Sequence, residues 1–339
     1  MRRRATDGRA VWRSGGRLLA VAVLLTARPA ARLSAQGQPL NSGALFLVFP
    51  VGAEAVGMGQ TGVALDGRGE AAFWNPAGLA TLEHNEFTVH TATLAAGRTH
   101  VVSAYFPSSR LGVIGGAVYL VDYGDLESTD SSGTTIGRLS PRNFELLASY
   151  ATAVGGAVEL GINYKLVQFR NDCSGNCGDA PSGEGVTHAL DLGGQFAVGP
   201  AGALRIGVAL RHIGFALQVQ NKEQADPLPA RLAVGARYRI ALRPLAEDGE
   251  RLDLRVAADF DSPWGNYEDA EMRVGFDLGF REFVRLRAGY AFVEDGLSGP
   301  SVGLGVSSGS IGVDLARSFL SGTDLVVANP TFFSFRFTF

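Results

Sequence analysis

Thr331-Phe332-Phe333-Ser334-Phe335-Arg336-Phe337-Thr338-Phe339 repeats with a period of two, and that period decides the fold. Phe333, Phe335, Phe337 and Phe339 fall on one face of an extended segment, and Ser334, Arg336 and Thr338 fall on the other. Side chains of a strand point alternately to its two faces, so this strand has an aromatic face and a polar one. The same pattern recurs upstream. Met272, Val274, Phe276, Leu278 and Phe280 alternate with Glu271, Arg273, Gly275, Asp277 and Gly279. Leu252, Leu254, Val256, Ala258 and Phe260 alternate with Asp253, Arg255, Ala257 and Asp259.

Fourteen such runs are predicted: 86–95, 99–107, 111–123, 143–154, 157–169, 187–198, 202–213, 230–242, 251–260, 271–280, 283–293, 300–307, 309–319 and 331–339. Most are near the ~9–11 residues that a tilted strand needs to cross a bilayer. The links near 107–110, 154–157, 199–201, 281–282 and 308–309 are short, whereas 124–142, 170–186, 214–229, 261–270 and 320–330 are long and polar. Short and long links alternate in outer-membrane barrels, as periplasmic turns and extracellular loops. The short 96–98 link and the longer 243–250 link depart from that rule. A soluble β-sandwich would alternate too, with its apolar face inward instead of toward lipid. Strand length, the even count and the export signal described next favour an antiparallel transmembrane barrel. On that reading Arg205, Arg211, Arg231, Arg237, Arg239, Arg255, Arg273, Arg285 and Arg287 face the lumen, with Glu159, Asp191, Asp253, Asp259, Asp277 and Asp314 as partners. A structural network is the primary expectation for these charges, and an ion-selective channel the alternative.

Residues 1–35 have the form of a secretory signal. Six arginines between Arg2 and Arg17 precede the short apolar run Leu18 to Leu25, and cleavage is expected near Leu33-Ser34-Ala35, before Gln36 or a few residues to either side. This stretch holds eight Arg and one Asp, a charge of +7 against −3 for the whole chain, which leaves −10 for the remainder. An acidic chain without a basic run gives no support to nucleic-acid binding. Cys173 and Cys177 lie in a polar segment, where a disulfide pinning an exported loop is expected. A free thiol pair or a two-thiol metal site is the alternative.

Residues 41–85 do not alternate. They contain Pro50-Val51-Gly52-Ala53-Glu54-Ala55-Val56-Gly57-Met58-Gly59, then Thr61-Gly62-Val63-Ala64, then Trp74-Asn75-Pro76-Ala77-Gly78-Leu79. Glycines allow close backbone packing, and Asn-Pro initiates turns. These runs resemble the PorV/PorQ family of outer-membrane proteins, within the wider FadL-like group of fourteen-strand barrels. The resemblance implies that residues 36–85 form a hatch inside the barrel formed by residues 86–339, with Gly57, Gly59, Gly62, Trp74, Asn75, Pro76, Ala77 and Gly78 as its signature. It also implies that Phe335, Phe337 and Phe339 belong to the signal read by the barrel assembly machinery. PorV-like proteins serve type IX protein secretion, which ranks as the first expected role. FadL-like passage of hydrophobic small molecules ranks second. The expected partners are outer-membrane lipid and the assembly machinery, with secretion components and cargo or a hydrophobic ligand according to role.

Two enzyme motifs fail on context. Gly57-Met58-Gly59-Gln60-Thr61-Gly62 matches G-x-G-x-x-G without the strand and helix of a dinucleotide site. Gly305-Val306-Ser307-Ser308-Gly309 matches G-x-S-x-G, yet His84, His90, His100, His188 and His212 all precede it. No catalytic residue, cofactor or metal is expected.

Overall fold

The computed structural model describes residues 42–177, 183–218, 225–242, 252–281, 283–293, 298–321 and 329–339. The expected signal segment 1–35, the start of the hatch to residue 41 and the 243–250 link lie outside the described residues. The strands are β1 Glu86–Leu94, β2 Gly97–Ser108, β3 Gly112–Asp122, β4 Leu126–Thr129, β5 Thr135–Val154, β6 Val158–Gly175, β7 Gly183–Val198, β8 Leu204–Gly214, β9 Arg231–Leu242, β10 Leu252–Pro263, β11 Glu271–Phe280, β12 Val284–Phe292, β13 Gly299–Ser308, β14 Ile311–Ser318 and β15 Thr331–Thr338. Every pairing among them is antiparallel, and neighbours in sequence are neighbours in the sheet apart from β3 and β4. The sheet closes where β15 meets β1, with Phe335 opposite Val89. Short β4 stands apart from the closure, because β3 pairs directly with β5. The result is a closed fourteen-strand transmembrane barrel.

Which face is buried separates barrel from sandwich. On β11, Asp277 is 0% exposed while its neighbour Phe276 is 48% exposed. The same inversion holds round the wall, with Val118, Leu160, Leu192, Phe260, Leu286, Leu304, Leu315 and Phe333 among the exposed apolar side chains. A soluble fold hides such residues and solvates its charges. A lipid-facing barrel does the reverse.

The strand boundaries agree with the alternation except on one side. β5, β6 and β7 run for 20, 18 and 16 residues, so the links 124–142 and 170–186 are partly strand. β4, the first residues of β5 and the last of β6 lie within them. Above the lipid both faces of a sheet meet water, so the apolar alternation that marks a membrane strand is lost there. At the tip of this extension Cys173 and Cys177 form a disulfide.

The lipid-facing assignment is testable at the middle of β13. Leu304, beside Leu286 and Leu315, is expected to lose about 2–4 kcal/mol of folding stability on substitution by Arg. Urea unfolding from phospholipid vesicles measures this, and an unchanged midpoint would place Leu304 away from lipid.

Candidate functional site

Residues 42–85 pass through the lumen as short helical turns. They are a 3-10 turn at Leu45–Val48, the five-residue helix α1 at Ala53–Gly57, and 3-10 turns at Gly69–Phe73 and Pro76–Thr81. Almost all of their backbone polar groups must be satisfied away from water. Inward side chains of the wall do this. Ser334 on β15 accepts from Ala53 N–H at 2.9 Å, and Ser301 on β13 accepts from Gly59 N–H at 2.9 Å. Asp259 on β10 accepts from Gly62 N–H at 2.7 Å and Val63 N–H at 2.9 Å. Asn163 on β6 donates to Ala72 O at 2.8 Å, and Gln195 on β7 donates to Val63 O at 2.9 Å.

The signature residues come together here. Asn75 is the N-cap of the Pro76–Thr81 turn, and its Oδ1 accepts from Ala77 N–H at 3.1 Å. Its Nδ2 donates within the segment to Val63 O at 2.8 Å and to the wall at Gly194 O, 3.2 Å. Trp74 Nε1 donates to Val51 O at 2.9 Å, and a side chain on Gly62 would enter the Trp74 ring. Gly59 has φ +71, with the wall backbone directly behind it at Tyr290 and Val274. On Gly78 a side chain would strike Leu65 O.

Sequence reasoning missed the complement of these glycines in the wall. Gly161 on β6 lies beneath Pro76 and Ala77, Gly193 on β7 beneath Asn75, and Gly207 on β8 beneath Val63 O. Across the lumen, Gly275 on β11 lies beneath Met58, Gly289 on β12 beneath Gly59, and Gly303 on β13 beneath Gly57. A glycine inside a strand marks a place where another backbone approaches. The readable signal was glycine at positions that alternation assigns to the lumen.

The predicted lumen charges fall into two groups. Arg237, Arg255 and Arg287 converge with Arg68 on Glu54 of α1, at 3.2, 4.0, 3.6 and 3.6 Å. Arg205 binds Asp66 at 2.9 Å. Asp277 bridges Arg285 and Arg287 at 2.8 and 3.2 Å, and Asp253 holds Arg255 at 3.3 Å. Asp259 has the backbone role already given. Arg273 belongs to the second group, nearer the long-link end, with Asp261, Glu271, Arg211 and Arg231. Burial opposes a charge on Glu54, but Arg287, Arg68, Arg237 and Arg255 outweigh it and hold its carboxyl well below the usual range. Burial and the adjacent Glu54 push the Glu70 carboxyl the other way, up to about 8.

Missed as well was a buried knot on β5 to β8. Lys165 Nζ lies 2.9 Å from Asp191, 3.1 Å from His212 Nδ1 and 3.6 Å from Glu145. A bulge between β7 and β8 produces it. The register shifts between Leu190 and Leu192, and His212 takes φ +59, so consecutive Arg211 and His212 are both buried.

Between the lumen segment and the long-link end lies a cavity of about 270 Å³. Leu47 to Val51, Phe73 and Trp74 supply its apolar side, and the second charge group with Lys165 supplies the other. The remaining motifs take structural positions. The 57–62 run ends α1 and turns after it, and Ser307 in β13 accepts from Arg336 at 3.0 Å. Phe333, Phe337 and Phe339 are exposed on the outer wall with Phe335 half-buried, while Phe332 points inward.

This architecture, a fourteen-strand barrel with residues 42–85 in its lumen and a small cavity at the long-link end, has solved counterparts. The fold is similar to the toluene transporter TbuX of Ralstonia pickettii, with TM-score 0.59 and 15% identity over 85% of this chain and 98% of that one. It is also similar to a Pseudomonas aeruginosa FadL homologue, with TM-score 0.54 and 12% identity over 86% of this chain and 98% of that one. The monoaromatic hydrocarbon channel CymD gives TM-score 0.53 and 15% identity over 85% and 97%. The sequence matches no protein-family model and no curated protein.

Two outcomes follow. Gly289→Ala drives a methyl into the Met58–Gly59 backbone, an overpacking of about 1–3 kcal/mol. A barrel of normal heat-modifiable migration with raised conductance in planar bilayers is expected, and wild-type conductance would refute the contact. Glu70 binds a proton more tightly folded than unfolded, so its contribution is present below the ordinary carboxylate range and is lost as pH rises through about 8. Conductance is therefore expected to rise between neutral and alkaline pH, and Glu70→Gln should flatten the profile. A profile unchanged by Glu70→Gln assigns the effect to another group.

Proposed function

We propose that this chain is an outer-membrane channel of the FadL-like kind, passing small hydrophobic molecules inward, with residues 42–85 as its hatch. One observation carries the reading. The cavity on the loop side is walled on one side by apolar residues of the lumen segment itself, Leu47, Val51, Phe73 and Trp74. A molecule bound there touches the element that would have to give way for passage. Pockets lined by apolar and aromatic groups with a few fixed polar ones are the usual form of small-molecule sites. The fold likeness to proteins described as toluene and monoaromatic hydrocarbon transporters supports the same assignment.

Type IX secretion, ranked first by the N-terminal resemblance, moves behind hydrophobic uptake. Its support stays with the 52–64 and 74–79 runs, whose glycines and Asn75 are accounted for by hatch packing alone. The lumen charges are read as structural, since Arg205, Arg237, Arg255, Arg273 and Arg287 each face a carboxylate.

A clean deletion separates the roles. Uptake of a radiolabelled monoaromatic hydrocarbon is expected to fall several-fold with the secreted protein set unchanged. Normal uptake, with proteins bearing C-terminal sorting domains lost from the medium, would overturn the channel in favour of secretion.

A further inference from the structure

The polar side of the cavity is balanced in charge. Lys165, Arg211, Arg231 and Arg273 line it with the acids Glu145, Asp261 and Glu271, and Asp191, buried behind that lining, is the fourth acid, bound to Lys165. Lys165 sits 2.9 Å from Asp191 and 3.6 Å from Glu145. Arg211 binds Asp261, Arg231 binds Glu271 at 2.8 Å, and Arg273 binds both Asp261 and Glu271. Four bases meet four acids. An anionic ligand would have to shed water with no unmatched cation to receive it, or break an existing pair and leave a buried charge alone.

A plain hydrocarbon fits poorly too. Among the described residues, three side chains lining the cavity each keep a buried polar atom without a hydrogen-bond partner: Tyr119 OH, Glu145 Oε1 and His212 Nε2. Lys165 can only donate, so His212 Nδ1 accepts from it at 3.1 Å. His212 is then the neutral tautomer, with Nε2–H as a donor. The three atoms are therefore a donor, an acceptor and a hydroxyl that is both, buried on side chains that line the cavity together with Phe73 and Trp74.

We propose that the cavity selects an uncharged amphiphile: a small apolar body carrying one or two hydroxyl-like groups, in preference to its carboxylate or its bare hydrocarbon. This rests on the channel reading above and narrows its substrate class. A hydroxyl both donates and accepts, so it can answer either Glu145 Oε1 or His212 Nε2–H and brings no net charge to the ion pairs. Specificity of this kind comes from buried polar groups that a wrong ligand leaves unpaired.

The test is equilibrium binding to the full-length barrel in detergent. Trp12 lies in the expected signal segment, so with Trp264 replaced by Phe, Trp74 is the one of three tryptophans left in the processed barrel, and its fluorescence reports the cavity. The probes are 2-phenylethanol, phenylacetate and ethylbenzene, which share one body. The alcohol is expected to bind about tenfold more tightly than either other probe. Glu271→Gln, which frees Arg231 and Arg273 in part, is expected to raise phenylacetate affinity about tenfold. Equal or tighter binding of phenylacetate to the parent overturns the requirement for neutrality. Equal or tighter binding of ethylbenzene overturns the hydroxyl preference while leaving a hydrocarbon channel intact. Binding of none of the three overturns the proposal, and the uptake measurement in the deletion strain then judges the channel reading separately.

Discussion

Backbone against backbone is the contact on which this structure depends. The lumen segment does not rest on side chains projecting from the wall, because at six strands the wall has none at the point of contact. Gly161, Gly193, Gly207, Gly275, Gly289 and Gly303 form two facing arcs, and the segment from Gly57 to Ala77 lies directly on them. That closeness puts its N–H groups within reach of short side chains, Ser301, Ser334 and Asp259. Longer spacing would have stranded those donors in a place water cannot easily reach, at about 1–3 kcal/mol apiece. The glycines thus determine the hydrogen bonding as well as the fit.

The charges follow from the same geometry. A barrel facing lipid must turn its ionic side chains inward, and a segment filling the lumen removes the water that would have solvated them. Each arginine then needs a carboxylate, and some carboxylates must come from the segment itself. Glu54 and Asp66 provide them, reaching Arg237, Arg255, Arg287 and Arg205. Such pairs add little net stability over apolar packing. Their effect is on registry, since a one-residue slip of α1 would take Glu54 out of its ring of four guanidinium groups and leave its own carboxylate buried without them.

Most of this architecture was legible in the sequence, because a membrane strand declares itself by alternation and a lumen segment by its failure to alternate. β10, β11 and β15 could be read nearly residue by residue. The extension of β5 to β7 could not, since Thr135 to Pro141 meet water on both faces and lose the period. The polar knot at Lys165 was hidden for another reason. It needs the β7–β8 bulge to bring Arg211 and His212 inward together, and an extra residue in one strand has no signature in a pattern that counts by twos. Glu54 stood in plain view within the quoted N-terminal run, but nothing in a single sequence says which arginines a plug carboxylate will find.

The lumen segment is not held evenly, and this bears on how passage could occur. From Ala53 to Ala77 it is fixed by wall hydrogen bonds, by glycine contacts on both sides and by the Glu54 and Asp66 ion pairs. From Leu45 to Val51 the described contacts are chiefly apolar, such as Phe46 edge-on to Tyr119 at 5.9 Å. Regions with few polar anchors open at lower free energy than the whole fold. This weaker stretch is also the one that walls the cavity. A ligand seated against Leu47 and Val51 competes with dispersion and apolar burial, which a small apolar body can replace, and with the Trp74 Nε1–Val51 O hydrogen bond. Moving α1 instead would require several buried charges and backbone donors to lose their partners at once. The part of the lumen segment most easily displaced and the part a ligand touches first are therefore the same residues.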